Sequence, residues 1–250
     1  MKKCAFLLSF ILGLTCFQLR AQSVAQVIDD YLEAVGGNAV LSQVKGMKMK
    51  GKMTTSGVEF PFIQVIQLDG RQYMQIDFMG NTFKQRVYNG EKMWSYDMAT
   101  QQAKYDSDEV LNNAKLDFND FPDALYGYKE KQYTYQLEGK ETRFGREVYK
   151  VKVRKEDKMI NGNQLPDIVY YFFDVEKNIS VAQETIGKDE NGNEVSSVLR
   201  YSDYGDVGNG YLMPLHIIQE VNGQSTFELT ISEVELNPTV SKAEFAYPGN

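Results

Sequence analysis

The residues able to do chemistry are few. His216 is the single histidine among 250 residues. It sits in Pro214-Leu215-His216-Ile217-Ile218, a strand-like run whose aliphatic neighbours mark it as structural or solvent-facing. A catalytic triad or a histidine metal site would need partners for it that the sequence does not announce. No His-Glu-x-x-His, Gly-x-Ser-x-Gly or phosphate-cradling glycine loop occurs. Carboxylates are plentiful, at 34 Asp plus Glu. A glycosidase needs two of them roughly 5–10 Å apart in a polar cleft, and here most alternate outward on strand-like runs. Asp189-Glu190-Asn191-Gly192-Asn193-Glu194 imitates half of a calcium loop. Glu194 occupies the position that demands glycine, and Arg200 the position that demands glutamate. A hairpin loop explains it better. The sequence therefore assigns no catalytic residue, metal ligand or cofactor, and the chain reads as a non-enzyme.

What it has in surplus is apolar surface. Met74, Ile76 and Phe78 share one face of a strand. Phe62, Phe83 and Trp94 add aromatic bulk, as does Phe172 in the run Ile168-Val169-Tyr170-Tyr171-Phe172-Phe173. An irregular stretch adds Leu111, Phe118, Phe121 and Leu125. Taken singly, each is an ordinary core residue. As a set, they suit the lining and lid of a cavity, because a large curved sheet with few helices cannot fill its own concavity. Methionine suits such a lining through its flexibility.

The elements that must position these residues follow from periodicity. Val24, Val27, Ile28, Tyr31, Leu32 and Val35 recur at helical spacing, and Gly36-Gly37 ends that helix. Asn38 is placed to cap a short second turn through Gln43. From residue 46 the period becomes two. Strands are expected near 46–55, 58–68, 71–79, 82–88 and 91–97. Their punctuation is Ser56-Gly57, Asp69-Gly70, Gly80-Asn81 and Asn89-Gly90, turn pairs that enforce an antiparallel meander. Residues 106–118 fit a helix with Asp106 as N-cap and Glu109 three residues on. Strands resume near 131–139, 146–154, 167–173, 178–186, 194–203, 211–221 and 224–236. The result is a mainly β chain with some α: an open antiparallel barrel of about 11–12 strands wrapped around a few helices, in one domain over 22–250.

Residues 1–21 read as a cleavable secretory signal. Met1-Lys2-Lys3 precedes an apolar run from Cys4 to Phe17, shorter than the ~20 residues of a membrane span. Cleavage is expected after Ala21, although Leu19 stands where a small residue is usual. Lipidation at Cys16 is the minority alternative. Cleavage would remove both cysteines and three basic residues, taking the formal charge from −7 to −10. Such an acidic chain is a poor partner for nucleic acid. No second long apolar segment follows, so the exported part is not expected to span a membrane, and a monomer is expected.

The layout resembles the LolA/LolB-like superfamily, specifically the periplasmic outer-membrane lipoprotein-sorting proteins. The likeness lies in Tyr31-Leu32-Glu33-Ala34-Val35-Gly36-Gly37, then paired strands with Gly51 between them. It continues through Val87-Tyr88-Asn89-Gly90-Glu91-Lys92-Met93-Trp94, similar to the family's Y-(D/N)-G-x-x-x-W hairpin. Gly210-Tyr211-Leu212-Met213-Pro214 and Val234-Glu235-Leu236-Asn237, with Phe245 and Pro248, complete it. The resemblance implies an unclosed barrel with helices over its open side and a concave face that takes up lipid or lipoprotein acyl chains. Its implied location is the periplasm of a Gram-negative-type bacterium, with envelope lipoprotein-export proteins as partners. Residues 106–126 are then expected to act as a lid.

Overall fold

The computed structural model describes residues 22–188 and 192–248. The expected signal at 1–21, with both cysteines, lies outside the described residues, as do the first three positions of the calcium-loop mimic.

The first helix forms as its stripe requires. In α1 (Val24–Ala34), Val27, Ile28, Tyr31 and Leu32 are buried, and the Ser23 side chain accepts a hydrogen bond from the Gln26 amide. Gly36 and Gly37 take positive φ and turn the chain into α2 (Gly37–Leu41). Gly36 occupies its N-cap with no side-chain bond, so Asn38 is not the cap. A tight glycine turn leaves no room for a capping side chain ahead of it.

Among the described residues, fifteen strands follow. The first six are β1 (Gly46–Thr55), β2 (Val58–Gln67), β3 (Gln72–Phe78), β4 (Asn81–Tyr88), β5 (Met93–Asp97) and β6 (Gln102–Tyr105). Then come α3 (Asp108–Asp117), a 3-10 turn (Phe118–Asp120), β7 (Thr134–Arg143) and β8 (Arg146–Arg154). A small hairpin, β9 (Lys158–Ile160) with β10 (Asn163–Leu165), precedes β11 (Ile168–Asp174) and β12 (Ser180–Lys188). The last strands are β13 (Glu194–Asp206), β14 (Leu212–Val221) and β15 (Gln224–Leu236). Thirteen form one antiparallel sheet in the order β6-β5-β4-β3-β2-β1-β15-β14-β13-β12-β11-β8-β7. Its margins, β6 and β7, do not pair, so the barrel is open. The sheet exceeds the expected 11–12 strands because β6 has four residues, too few for alternation to declare itself, and the three-residue β9 and β10, unforeseen for the same reason, form a separate two-stranded sheet. The cap of α3 is Ser107, whose hydroxyl accepts from the Val110 amide. Asp106 instead accepts from Ser95.

Two faces of the sheet are covered differently. On the inner face, α1 and residues 121–133 pack over Met47, Met49, Phe62, Val151, Val153 and Phe173. The Tyr31 hydroxyl donates to Asp123 at 2.5 Å and ties that segment to the helix. On the outer face, the C-terminal 3-10 turn (Lys242–Phe245) inserts Phe245 among Val65, Tyr73, Val87 and Trp94. The Trp94 indole donates to the Phe245 carbonyl at 3.2 Å. Farther along that face, Phe172 joins Val148, Val181 and Val198.

Gly51 does not separate two strands. It lies inside β1, opposite a bulge where Lys50 faces Glu233 and Gly51 faces Ile231. A Cβ there would stand 2.0 Å from the Thr230 carbonyl oxygen. This close approach bends the centre of the sheet. Gly51→Ala is therefore expected to lower unfolding free energy by about 2 kcal/mol or more, measured by urea denaturation. Stability equal to wild type would show that the bulge relaxes freely.

Candidate functional site

Register, read strand by strand, shows where inner-face packing stops. Ile231, Gly51, Phe62, Ile76 and Phe83 are direct cross-strand partners from β15 to β4. All but the glycine are buried. Two residues along, the direct partners are Tyr201, Ile217, Leu229, Met53 and Phe60, on β13, β14, β15, β1 and β2. Every one of these five is only partly buried. Phe78 of β3 meets Phe60 edge-to-face, with centroids 5.7 Å apart, and extends the row. The next row contains Leu199, Phe227 and the exposed Val58. The ladder crosses five strands, about 19 Å at the usual strand spacing. Its chemistry is that of an apolar trough whose side chains are only partly covered.

Five of the expected lining residues, Phe62, Met74, Ile76, Phe78 and Phe83, come together on this inner face. Met74 faces Gln64 and Gln85 in the row beside Phe62. Trp94 and Phe172 do not join them. Both are turned to the outer face, where Phe245 seals one and Arg143 lies over the other at 4.1 Å. Apolarity on both sides of a strand hides which side a residue takes. Leu111 and Phe118 pack with Tyr88, Met93 and Ala114 at the β4–β5 margin. Leu125 is buried and Phe121 partly buried against the α1 core. The expected lid at 106–126 is thus two structures. The stretch 121–126 is embedded in the core. The helix α3 spans the open side, from the β4–β5 margin to the β9–β10 hairpin. There the Glu109 carboxylate accepts from the Asn161 and Gly162 amides at 3.0 and 2.9 Å. Asn113 exchanges bonds with the Met159 backbone at 2.6 and 3.0 Å.

A pocket of mixed lining, missed by the sequence reading, adjoins the ladder. It encloses about 220 Å³, lined by Asp120, Asp123, Tyr171, Gln183, Tyr201 and Tyr204 among others. Asp123 accepts from the Tyr31 hydroxyl and from the Leu125 amide at 2.8 Å. Burial pushes its carboxyl above the ordinary range; those two bonds and the Lys131 charge oppose the shift. Asp120 accepts from Lys155, from Lys131 at 3.2 Å and from the Tyr133 hydroxyl at 3.3 Å. An aspartate between Pro122 and Ala124-Leu125, deep in an apolar stretch, was the available signal.

His216 does find partners. Its Nδ1 meets Ser202 Oγ at 2.9 Å and its Nε2 meets Glu228 at 2.7 Å. The three residue types are those of a hydrolytic triad, but the ring is reversed: a triad serine meets Nε2 and the acid meets Nδ1. Ser202 is exposed on the outer face. The chain of bonds ties β13, β14 and β15 together on the solvent side.

No protein-family model matches this sequence, and no curated protein matches it at the sequence level. Solved structures do match. An outer membrane lipoprotein-sorting protein domain from Vibrio parahaemolyticus aligns at 12% identity and TM-score 0.52, over 87% of this chain and 97% of that one. A DUF1329 family protein from Desulfovibrio piger aligns at 13% identity and TM-score 0.54, over 91% and 98%. Among the described residues, no helix is long and apolar enough to cross a membrane. This chain therefore has the LolA/LolB-like fold, an open antiparallel barrel whose inner face carries the helices.

Proposed function

We propose that this protein is a non-enzymatic periplasmic binder and carrier of lipid or lipoprotein acyl chains, held along the inner face. The observation that supports it is the partly exposed row Tyr201, Ile217, Leu229, Met53 and Phe60. Apolar side chains left wet across five strands are a cost to a protein without a ligand. Burying a methylene against them returns about 0.8 kcal/mol. A long acyl chain laid along the row would gain several kcal/mol, enough for carriage. The sorting-protein likeness agrees with this reading at the level of fold.

Release needs a competitor for the trough, and we assign that role to α3 as the lid. Its contacts with the β9–β10 hairpin are polar and exposed, through Glu109, Asn113 and the Asp117–Lys158 pair at 2.8 Å. Exposed polar contacts break at small cost, unlike the apolar packing of 121–126.

Two outcomes test this. Leu229→Lys places a charge in the trough at a side chain that is only partly buried. It should abolish binding of a fluorescent fatty acid while leaving the thermal midpoint nearly unchanged. Undiminished binding, or a protein that leaves its native periplasm with no lipid or acylated peptide in native mass spectrometry, would favour an envelope module with no ligand. The double variant Glu109→Ala, Asn113→Ala should speed dissociation of the bound probe several-fold in stopped flow. An unchanged rate would rule α3 out as the lid.

A further inference from the structure

The trough and the pocket share a residue. Tyr201 is the β13 rung of the ladder and also a wall of the 220 Å³ cavity. That volume falls below the ~300–1,000 Å³ of a site enclosing a whole drug-sized ligand, so it suits a head rather than a tail. Its polar groups are not all satisfied from within. Tyr31 donates to Asp123, Tyr204 to the Ser180 carbonyl at 2.7 Å, and Tyr211 to the Pro122 carbonyl at 3.1 Å. The hydroxyls of Tyr171 and Tyr201 have no hydrogen-bond partner among the described residues, although Tyr171 is only 6% exposed. A nearly buried phenol without a partner is costly unless something fills the space beside it.

The walls select the sign of the occupant. Asp120 and Asp123 line the pocket, and no lysine or arginine does. The nearest cations, Lys131 and Lys155, are held on Asp120, and Lys131 also donates to the Ala124 carbonyl at 2.7 Å. An anion would face two carboxylates. An ammonium group would offer donors to Asp123 and to the phenol oxygens of Tyr171 and Tyr201, and tyrosine ring faces attract it further.

We infer that this pocket is a headgroup subsite for an ammonium-bearing amphiphile, whose tail runs from Tyr201 along the ladder to Phe60. The inference rests on the acyl-chain reading above and adds the polar end of the ligand. The raised pKa of Asp123 is consistent with it, because a cation would relieve a carboxylate whose charge burial disfavours.

The test uses the whole exported chain at pH 7.5 and three amphiphiles with the same alkyl tail, below their micelle concentrations: an alkylammonium, an alkyl sulfate and an alcohol. Competition against a fluorescent acyl probe reads each affinity. The alkylammonium should bind about tenfold or more tighter than the sulfate. Asp123→Asn should erase that preference and leave the alcohol unaffected, and Tyr171→Phe should weaken only the alkylammonium. Equal affinity for all three heads, or a preference untouched by Asp123→Asn, overturns the headgroup subsite while the acyl-chain reading stands. If no amphiphile binds, the acyl-chain reading falls; a titration with methylammonium, which keeps the N–H donors, read by tyrosine fluorescence, then decides the pocket alone. Binding keeps it as a cation site, and silence ends both.

The Asp123→Asn variant carries its own control. The folded protein holds the Asp123 proton more tightly than the unfolded chain does, so wild-type stability falls as pH rises through the folded pKa. The asparagine avoids this loss, but its one amide oxygen can accept from Tyr31 or from the Leu125 amide and not from both, a cost that does not change with pH. Its thermal midpoint relative to that of wild type should therefore rise from pH 4 to pH 7.5. A difference that stays constant over that range would show that the carboxylate is already matched within the protein and would count against a vacancy for a cation.

Discussion

The structure turns on a shortage of covering. Three short helices, of eleven, five and ten residues, and a single loop segment must cover the inner face of a thirteen-stranded sheet. The outer face solves the same problem locally, with Phe245 and its neighbours plugging one patch and the Phe172 cluster sealing another. Inside, α1 spends Val27, Ile28, Tyr31 and Leu32 on the rows around Met47 and Phe62 and has nothing left for the rows beyond. The trough is the remainder of that packing, bounded where Ile231 and Phe62 give way to Leu229 and Phe60.

The same shortage explains why polar groups collect beside the apolar row. Residues 120–133 must cross from the α3 side of the opening to β7. They do so with Asp120 and Asp123 turned inward, each charge matched by a different device. Two lysines and a phenol meet Asp120, whereas a phenol and one backbone amide meet Asp123. Buried charge is tolerated when paired and costly when it is not. Asp123 is the less completely paired of the two, and it faces the cavity that Tyr201 shares with the ladder.

Much of the architecture was legible in the sequence. The stripe of α1 and the hairpin signals at Ser56-Gly57 and Asn89-Gly90 name their elements directly, because period and turn chemistry are local properties. β1, β8 and β15 begin and end where alternation begins and ends. The faces were less legible. Trp94 and Phe172 sit in strands apolar on both sides, and only tertiary covering by Phe245 or Arg143 decides which side each takes. Beyond the signal of Asp123, the pocket was not legible. Its tyrosines come from α1, β11, β13 and the turn before β14, positions far apart in the chain that only the closed register brings together. Ser202, His216 and Glu228 show the converse: three reactive residue types met in space, with a geometry that residue identity could not foretell.

The pairing of β1 with β15 has a consequence for how the molecule comes into being. It is the central seam of the sheet, and it joins the first strand of the chain to the last, with Met47 opposite Leu236. Until the final strand is delivered, the two halves of the barrel are joined through the segment that carries α3 but not through the sheet, and β1 and β14 each present a bare edge. Such long-range closure is slow, and open edges invite pairing with other chains. Met53 and Leu229, the middle rungs of the ladder, belong to those two seam strands. The apolar row is therefore completed only when β15 pairs with β1.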